Sequence, residues 1–385
     1  MGKENRFGVI AALIAGLLVF VVSGLVWAET GVKDDEIILG MSNPLTGPAS
    51  ALGTGLKAGA MVYFDKVNAQ GGVHGRKIKV ISYDDGYEPT ETVKNTNKLI
   101  NEDKVFALFG YVGTPTSKAI MPIIDKEKII FFGPFTGAEF LRNPVNRYIF
   151  NVRSSYFNEA EAQVEYLTSK LGLKKIGVFM QDDAYGLAVK GGVVRALEKR
   201  KLPLAGEGKY KRNTEDVDEA LSALKAANPE AVSMVGTYSA MAAFIKKARA
   251  GGFNPVFLNV SFVGTEALVE ELGGKGDGTI ITEVVPSPTD ASLPIVKQYQ
   301  TDMKAAGQNE FGYVSLEGYV DALVLVEILK KAGRNLTRDS FISSAEGLSF
   351  SSGGMKFSFS PAKHEALDKI YMTKVSGSKT VPVPK

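Results

Sequence analysis

The sequence predicts an α/β protein of two lobes, each a mainly parallel sheet flanked by helices. Three observations carry this. The stretch 37–89 reads as strand, helix and strand; apolar strand-like runs then alternate with amphipathic segments through two successive halves; and a Pro286-Ser287-Pro288 break separates those halves from the C-terminal part of the chain. At 385 residues the chain exceeds one ordinary hydrophobic core, which also favours two domains.

The opening unit sets the pattern. Leu56, Ala60, Tyr63, Phe64 and Val67 recur on one face of a helix. Gly71-Gly72 supplies the left-handed exit that ends it. Ile78, Val80 and Ile81 begin a strand that closes at the turn residues Asp84-Asp85-Gly86. Strands joined this way are parallel. The runs 105–109, 129–132, 176–180, 231–235, 256–258 and 279–282 are continuous apolar or β-branched stretches of the kind buried on both faces of a parallel sheet. Helices are expected over 91–102, 114–128, 157–171, 216–227, 239–250, 293–306 and 313–332, and strands over 355–359 and 370–375. The lobes are therefore drawn as 29–150 with 287–345, and 151–286 with 346–385. Ligands of open parallel sheets sit beyond the carboxyl ends of the strands, so a ligand belongs in the cleft between lobes.

Lys3 and Arg6 precede an uncharged run over 7–28, and Val26-Trp27-Ala28 supplies small residues for cleavage before Glu29. This reads as an export signal occupying 1–28; a retained anchor helix is the alternative, since about 20 apolar residues span a bilayer. No later stretch is long and apolar enough to do so. There is no cysteine, so neither a disulfide nor a lipid-modified cysteine is expected, and the periplasm is the address that fits. The formal charge of +3 is small and the basic residues are scattered, against a nucleic-acid partner.

Strand ends supply the candidate site. Gly113-Thr114-Pro115 is a strong helix start, whose unpaired N–H groups and partial positive charge suit a carboxylate. Gly133-Pro134-Phe135-Thr136-Gly137 repeats the theme one strand on, and Thr136 with Glu139 has the spacing of a capping box. Each threonine reads equally as a simple helix cap, but two adjacent strands ending this way would aim hydroxyls at one place. From the second half, Tyr185, and Thr237 with Tyr238, follow strands; a tyrosine there covers an apolar ligand with its ring or serves as a packed loop aromatic.

Enzyme readings find little. Gly53, Gly55 and Gly59 mimic a dinucleotide fingerprint but stand about a dozen residues beyond their strand. No phosphate loop or nucleophile elbow occurs. His364 and Glu365 begin like a zinc helix without its second histidine, so no metal and no cofactor is expected. Asp84-Asp85 and Asp182-Asp183 read as solvated turn residues.

The ordered set of motifs resembles the branched-chain amino acid-binding proteins, the soluble receptors of ABC importers. It comprises Met41-Ser42-x-Pro44-x-Thr46-Gly47-Pro48, the glycines of 53–59, the run 97–105, Gly113-Thr114, Gly133-Pro134, Asp182-Asp183-Ala184-Tyr185-Gly186, the run 245–252 and Leu316-Glu317-Gly318-Tyr319. The resemblance implies the type I periplasmic-binding-protein fold with three hinge crossings. It implies a small-molecule ligand and a membrane permease as partners, and no catalysis. It places the ligand carboxylate at Thr114, backbone and hydroxyl contacts at Phe135, Thr136 and Gly137, an apolar contact at Leu52, a closing ring at Tyr185 and a further contact at Thr237 or Tyr238. Where the family sets an acid for a ligand ammonium, this sequence has about Ser261. Either another acid (Glu317, Asp183 or Glu139) substitutes, or the ligand is an aromatic or aliphatic carboxylate without an α-amino group. A ligand-sensing module of the same fold that controls a regulator is the alternative function, which the export signal disfavours.

Overall fold

The computed structural model describes residues 29–383, so the expected export signal over 1–28 lies outside the described residues. In the first lobe β1 (Glu36–Asn43), α1 (Ser50–Ala69), β2 (Lys77–Asp84), α2 (Pro89–Asn101), β3 (Ala107–Phe109), α3 (Thr114–Glu127), β4 (Ile130–Phe132) and β5 (Ile149–Phe150) succeed one another. The strands form a five-stranded sheet in the order β2-β1-β3-β4-β5, parallel throughout. Its central strands have no polar face: Ala107, Leu108, Phe109, Ile130, Phe131 and Phe132 are all fully buried, as a sheet covered on both sides requires.

The chain then crosses to α4 (Tyr156–Glu165), β6 (Ile176–Gln181), α5 (Ala184–Glu198), β7 (Gly206–Tyr210), α6 (Asp218–Ala227), β8 (Ala231–Val235), α7 (Tyr238–Ala250), β9 (Val256–Asn259), α8 (Thr265–Leu272) and β10 (Ile280–Glu283). It returns through α9 (Pro294–Ala305), α10 (Tyr313–Ala332), α11 (Arg338–Glu346) and the hairpin β11 (Ser349–Ser352) and β12 (Met355–Ser358), and ends on β13 (Tyr371–Ser376) and β14 (Lys379–Pro382). The second sheet has seven strands in the order β14-β13-β10-β9-β8-β6-β7, parallel from β6 to β10 and antiparallel at β13 and β14.

Helices α1, α9, α10 and α11 cover one face of the first sheet, while Leu99 of α2 and Ile120 and Ile124 of α3 cover the other. The glycines that mimic a dinucleotide fingerprint serve this packing: a Cβ on Gly59 would lie 1.7 Å from the Ser315 carbonyl of α10. The tail departs from the sequence expectation. Met355, Phe357 and Phe359 bury their side chains in the first lobe's core, so 346–359 sits with the first lobe and only β13 and β14 join the second sheet. The chain thus crosses last near Asn151, whose amide donates to the His364 carbonyl at 2.9 Å while its own carbonyl accepts from Ala366. His364 stacks on Phe150 with ring centroids 4.1 Å apart and makes a 2.9 Å contact from Nδ1 to the Ile149 carbonyl.

Candidate functional site

The carboxyl ends of β3 and β4 lie side by side, and the residues just beyond them meet. Gly113, not Thr114, is the residue before the first turn of α3, and it makes no side-chain cap; Thr114 is already helical and Pro115 comes next. The Thr114 hydroxyl therefore does not cap its helix. It hydrogen-bonds instead to the Thr136 hydroxyl at 2.6 Å. Gly113 has φ +112, and a Cβ there would come within 2.4 Å of the Tyr87 ring, so only glycine lets both the turn and that ring fit. The expected capping box at Thr136 is likewise absent. Phe135 extends the strand through a bridge to Val112, and the short helical turn begins only at Glu139 without a side-chain cap. Thr136 is left to face Thr114.

Gly137 contacts the site indirectly. Its carbonyl accepts from the Tyr156 amide at 2.7 Å, and a Cβ on it would lie 2.5 Å from that nitrogen. Its lack of a side chain seats the Tyr156 ring. Tyr156 then meets Tyr185 at 5.5 Å, Tyr185 meets Phe262 at 4.7 Å, and Phe262 meets Phe135 at 5.4 Å and Tyr87 at 6.0 Å. Rings from both lobes thus close over the threonine pair, and all are buried. The hydroxyls of Tyr156 and Tyr185 make no hydrogen bond. Burial pushes both hydroxyls' pKa values up, so they stay protonated donors.

The other expected residues divide. Leu52 is buried against Gly264 of the second lobe, where a Cβ would meet it at 2.6 Å. The Tyr238 hydroxyl accepts from the Ala51 amide across the crevice at 3.3 Å. Thr237 precedes α7 and lies beside the Tyr210 hydroxyl, not against the ring cluster. Ser261 is buried, its amide donating to Glu159 Oε2 at 2.7 Å and its hydroxyl to Glu159 Oε1 at 3.0 Å. Of the acids proposed to replace the missing one, Asp183 is committed to the start of α5, accepting from the Tyr185 amide, and to Arg212. Glu317 is fully buried beside Arg153, its Oε1 without a hydrogen bond. Asp85 is no solvated turn residue: it is buried, accepts from Ser42, Thr92 and the Tyr87 amide, and burial pushes it up to about 6.

Sequence reasoning passed over Arg153, Tyr156, Glu159 and Phe262. Arg153 is buried in the first hinge segment with its guanidinium 4.7 Å from the Phe135 ring centroid. Its Nη2 donates to the Ser261 hydroxyl, Glu159 Oε1 lies 3.6 Å from Nη2, and Glu317 Oε1 lies 3.4 Å from Nε. A signal for Glu159 is present: Tyr156, Glu159, Ala160, Gln163 and Val164 form the inward face of α4, which puts an acid on a buried stripe. Among the described residues no cluster of three or more acidic or histidine side chains forms a metal site, and no helix is long and apolar enough to cross a membrane.

Two parallel-sheet lobes joined by repeated crossings, with donor groups gathered at strand ends in the crevice, define a two-lobed binding protein. Residues 36–380 match the periplasmic binding protein family, and the chain belongs to it. It is 23% identical over 307 residues to the leucine-, isoleucine-, valine-, threonine- and alanine-binding protein of Pseudomonas aeruginosa, covering 80% of this chain and 81% of that protein. Among solved structures it is similar to a possible leucine/isoleucine/valine-binding protein from Rhodopirellula baltica, with a TM-score of 0.87, 36% identity, and coverage of 92% and 98%. It is also similar to a fatty acid ABC transporter substrate-binding protein from Thermomonospora curvata, with a TM-score of 0.82, 25% identity, and coverage of 92% and 93%.

Proposed function

We propose that this chain is the exported receptor of an ABC importer and that it holds a small carboxylic acid with an apolar body between its lobes. The observation that carries the reading is the Thr114–Thr136 hydroxyl pair at the start of α3, enclosed by rings from both lobes. The pair and the helix N-terminus offer hydrogen bonds and partial positive charge to a carboxylate. The ring cluster of Tyr87, Phe135, Tyr156, Tyr185 and Phe262 offers an apolar enclosure to the body. Tyr238 and Leu52 close the crevice at its rim. The relatives' names support this class, since they include receptors for aliphatic amino acids and for fatty acids.

Binding here involves no catalytic step. The lobes 29–150 with 287–359 and 151–286 with the final strands swing about the hinge, and a membrane permease reads the closed form. Export removes 1–28. Thermal-shift and calorimetric titration with aliphatic and aromatic acids test the binding. Stabilisation by such acids with no turnover of the bound compound is expected; silence across the whole set would remove the reading. Mature protein whose first residue is Glu29 is the expected product of export.

A further inference from the structure

Arg153 and the carboxylates beside it balance among themselves. The guanidinium has two buried nitrogens without a hydrogen bond, Nε and Nη1, and Glu317 Oε1 and Asp321 Oδ1 are two buried oxygens without one. Glu317 Oε1 lies 3.4 Å from Nε, and both acids of α10 act on the charge of Arg153. Two further acids are taken. Glu159 accepts from the Ser261 amide at 2.7 Å, the Ser261 hydroxyl at 3.0 Å and the Thr282 hydroxyl at 2.7 Å. Asp183 accepts from the Tyr185 amide at 2.9 Å and from Arg212 at 3.1 Å. The hydroxyls of Tyr156 and Tyr185 are left over: both are buried in the ring cluster, and neither makes a hydrogen bond among the described residues. The Tyr156 hydroxyl stands beside those of Thr114 and Thr136, and the two tyrosine rings lie 5.5 Å apart. A buried phenol proton left unpaired is costly, so an acceptor is wanted here.

On the reading that the crevice holds a small carboxylate, we propose that the ligand carries a second oxygen on the carbon next to its carboxylate, as a 2-oxo acid does, and that the Tyr156 and Tyr185 hydroxyls donate to it. The threonine pair and the start of α3 hold the carboxylate. Tyr156 adjoins that grip, so the acceptor it meets belongs on the neighbouring carbon. An oxo oxygen has lone pairs and no proton, which suits two donors. A plain acid leaves both phenol protons unpaired, and an ammonium, which accepts nothing, does the same. A site built to hydrogen-bond a ligand group turns away the analogue that lacks it. The two tyrosines, one at the start of α4 and one in the first turn of α5, are in this sense specificity residues.

Calorimetry on the purified protein tests this with two series that differ only at that carbon: 4-methyl-2-oxopentanoate, 4-methylpentanoate and leucine, and 2-oxo-3-phenylpropanoate, 3-phenylpropanoate and phenylalanine. In a series that binds, the 2-oxo acid is expected to bind at least about tenfold tighter than either counterpart. Equal or tighter binding of the plain acid overturns the inference while leaving a small-acid receptor standing. So does equal or tighter binding of the amino acid, whose ammonium would draw on Glu317 and Asp321. Binding of no member of either series overturns both. Tyr156→Phe and Tyr185→Phe keep each ring and remove its proton donor. The preference for the 2-oxo acid is expected to shrink at least about threefold in each; folded variants that both keep the full preference overturn the role of the two hydroxyls. If neither variant folds, the ratios in the unaltered protein decide the matter.

Discussion

The hydroxyls of Thr114 and Thr136 lie 2.6 Å apart across a sequence separation of 22 residues. They meet because β3 and β4 are paired neighbours and the bridge between Val112 and Phe135 carries that pairing past both strand ends. Neither hydroxyl caps a helix; one donates to the other, and the Thr136 hydroxyl also accepts from the Ala138 amide at 3.3 Å, so one hydroxyl proton of the pair is left for a ligand oxygen.

Thr114→Val removes one member of the pair without changing the shape of the site. Acid binding is expected to weaken by roughly 1–3 kcal/mol, about five- to 150-fold in Kd. Calorimetry with a binding acid, set beside a circular dichroism melt of the free protein, separates lost contact from lost fold.

Gly137→Ala places a methyl group against the Tyr156 backbone, where a Cβ would stand 2.5 Å from its nitrogen. The clash must move either the strand end or the ring. A stability loss of about 1–3 kcal/mol is expected in chemical denaturation, together with weaker acid binding, because Tyr156 leaves the cluster.

Arg212 clasps the crevice from outside. Its guanidinium donates to Glu88 of the first lobe at 2.7 Å and to Asp183 of the second at 3.1 Å. Glu88 is partly open to solvent, so the clasp contributes modestly, on the order of 0.2–1 kcal/mol. Arg212→Ala is expected to leave the melting temperature nearly unchanged and to speed ligand release by about two- to fivefold, since only the closed form loses the contact. Stopped-flow dissociation reads this directly.

Glu317 links stability to pH. Its pKa in the folded protein is raised to about 7, chiefly by burial, from the ordinary carboxylate value of 4.5. The folded state then binds more protons than the unfolded chain between those values, so stability is highest at the acid end of that window. It falls as pH rises from about 4.5 through 7. Glu317→Gln is expected to flatten part of this slope in urea denaturation tracked across the window. Asp321 and Glu283, raised by burial in the same direction, keep the rest of it.

Much of the architecture is legible because buried parallel strands announce themselves: 105–109 and 129–132 are apolar without interruption, and a helix-start sequence comes after the first. From those two runs the neighbouring threonines can be placed. The role of Thr136 is not legible in the same way, because T-x-x-E describes a local spacing, whereas the bridge from Val112 to Phe135 keeps the chain extended past the expected helix start. The Arg153 site is hidden for a different reason. Its parts come from the hinge, α4, the segment after β9 and α10, and only packing brings Arg153, Glu159, Ser261 and Glu317 together. Asp85 looks like a turn residue by composition, yet Ser42 and Thr92 draw it inward.

A crystal structure of the protein with 4-methylpentanoate bound is the sharpest test of how the crevice grips an acid. The carboxylate is expected within hydrogen-bond reach of the Thr114 and Thr136 hydroxyls, with the apolar chain among the rings of Tyr87, Tyr185 and Phe262. A carboxylate seated anywhere outside the crevice between the lobes, or one that leaves both threonines paired only with each other, would refute the proposed site.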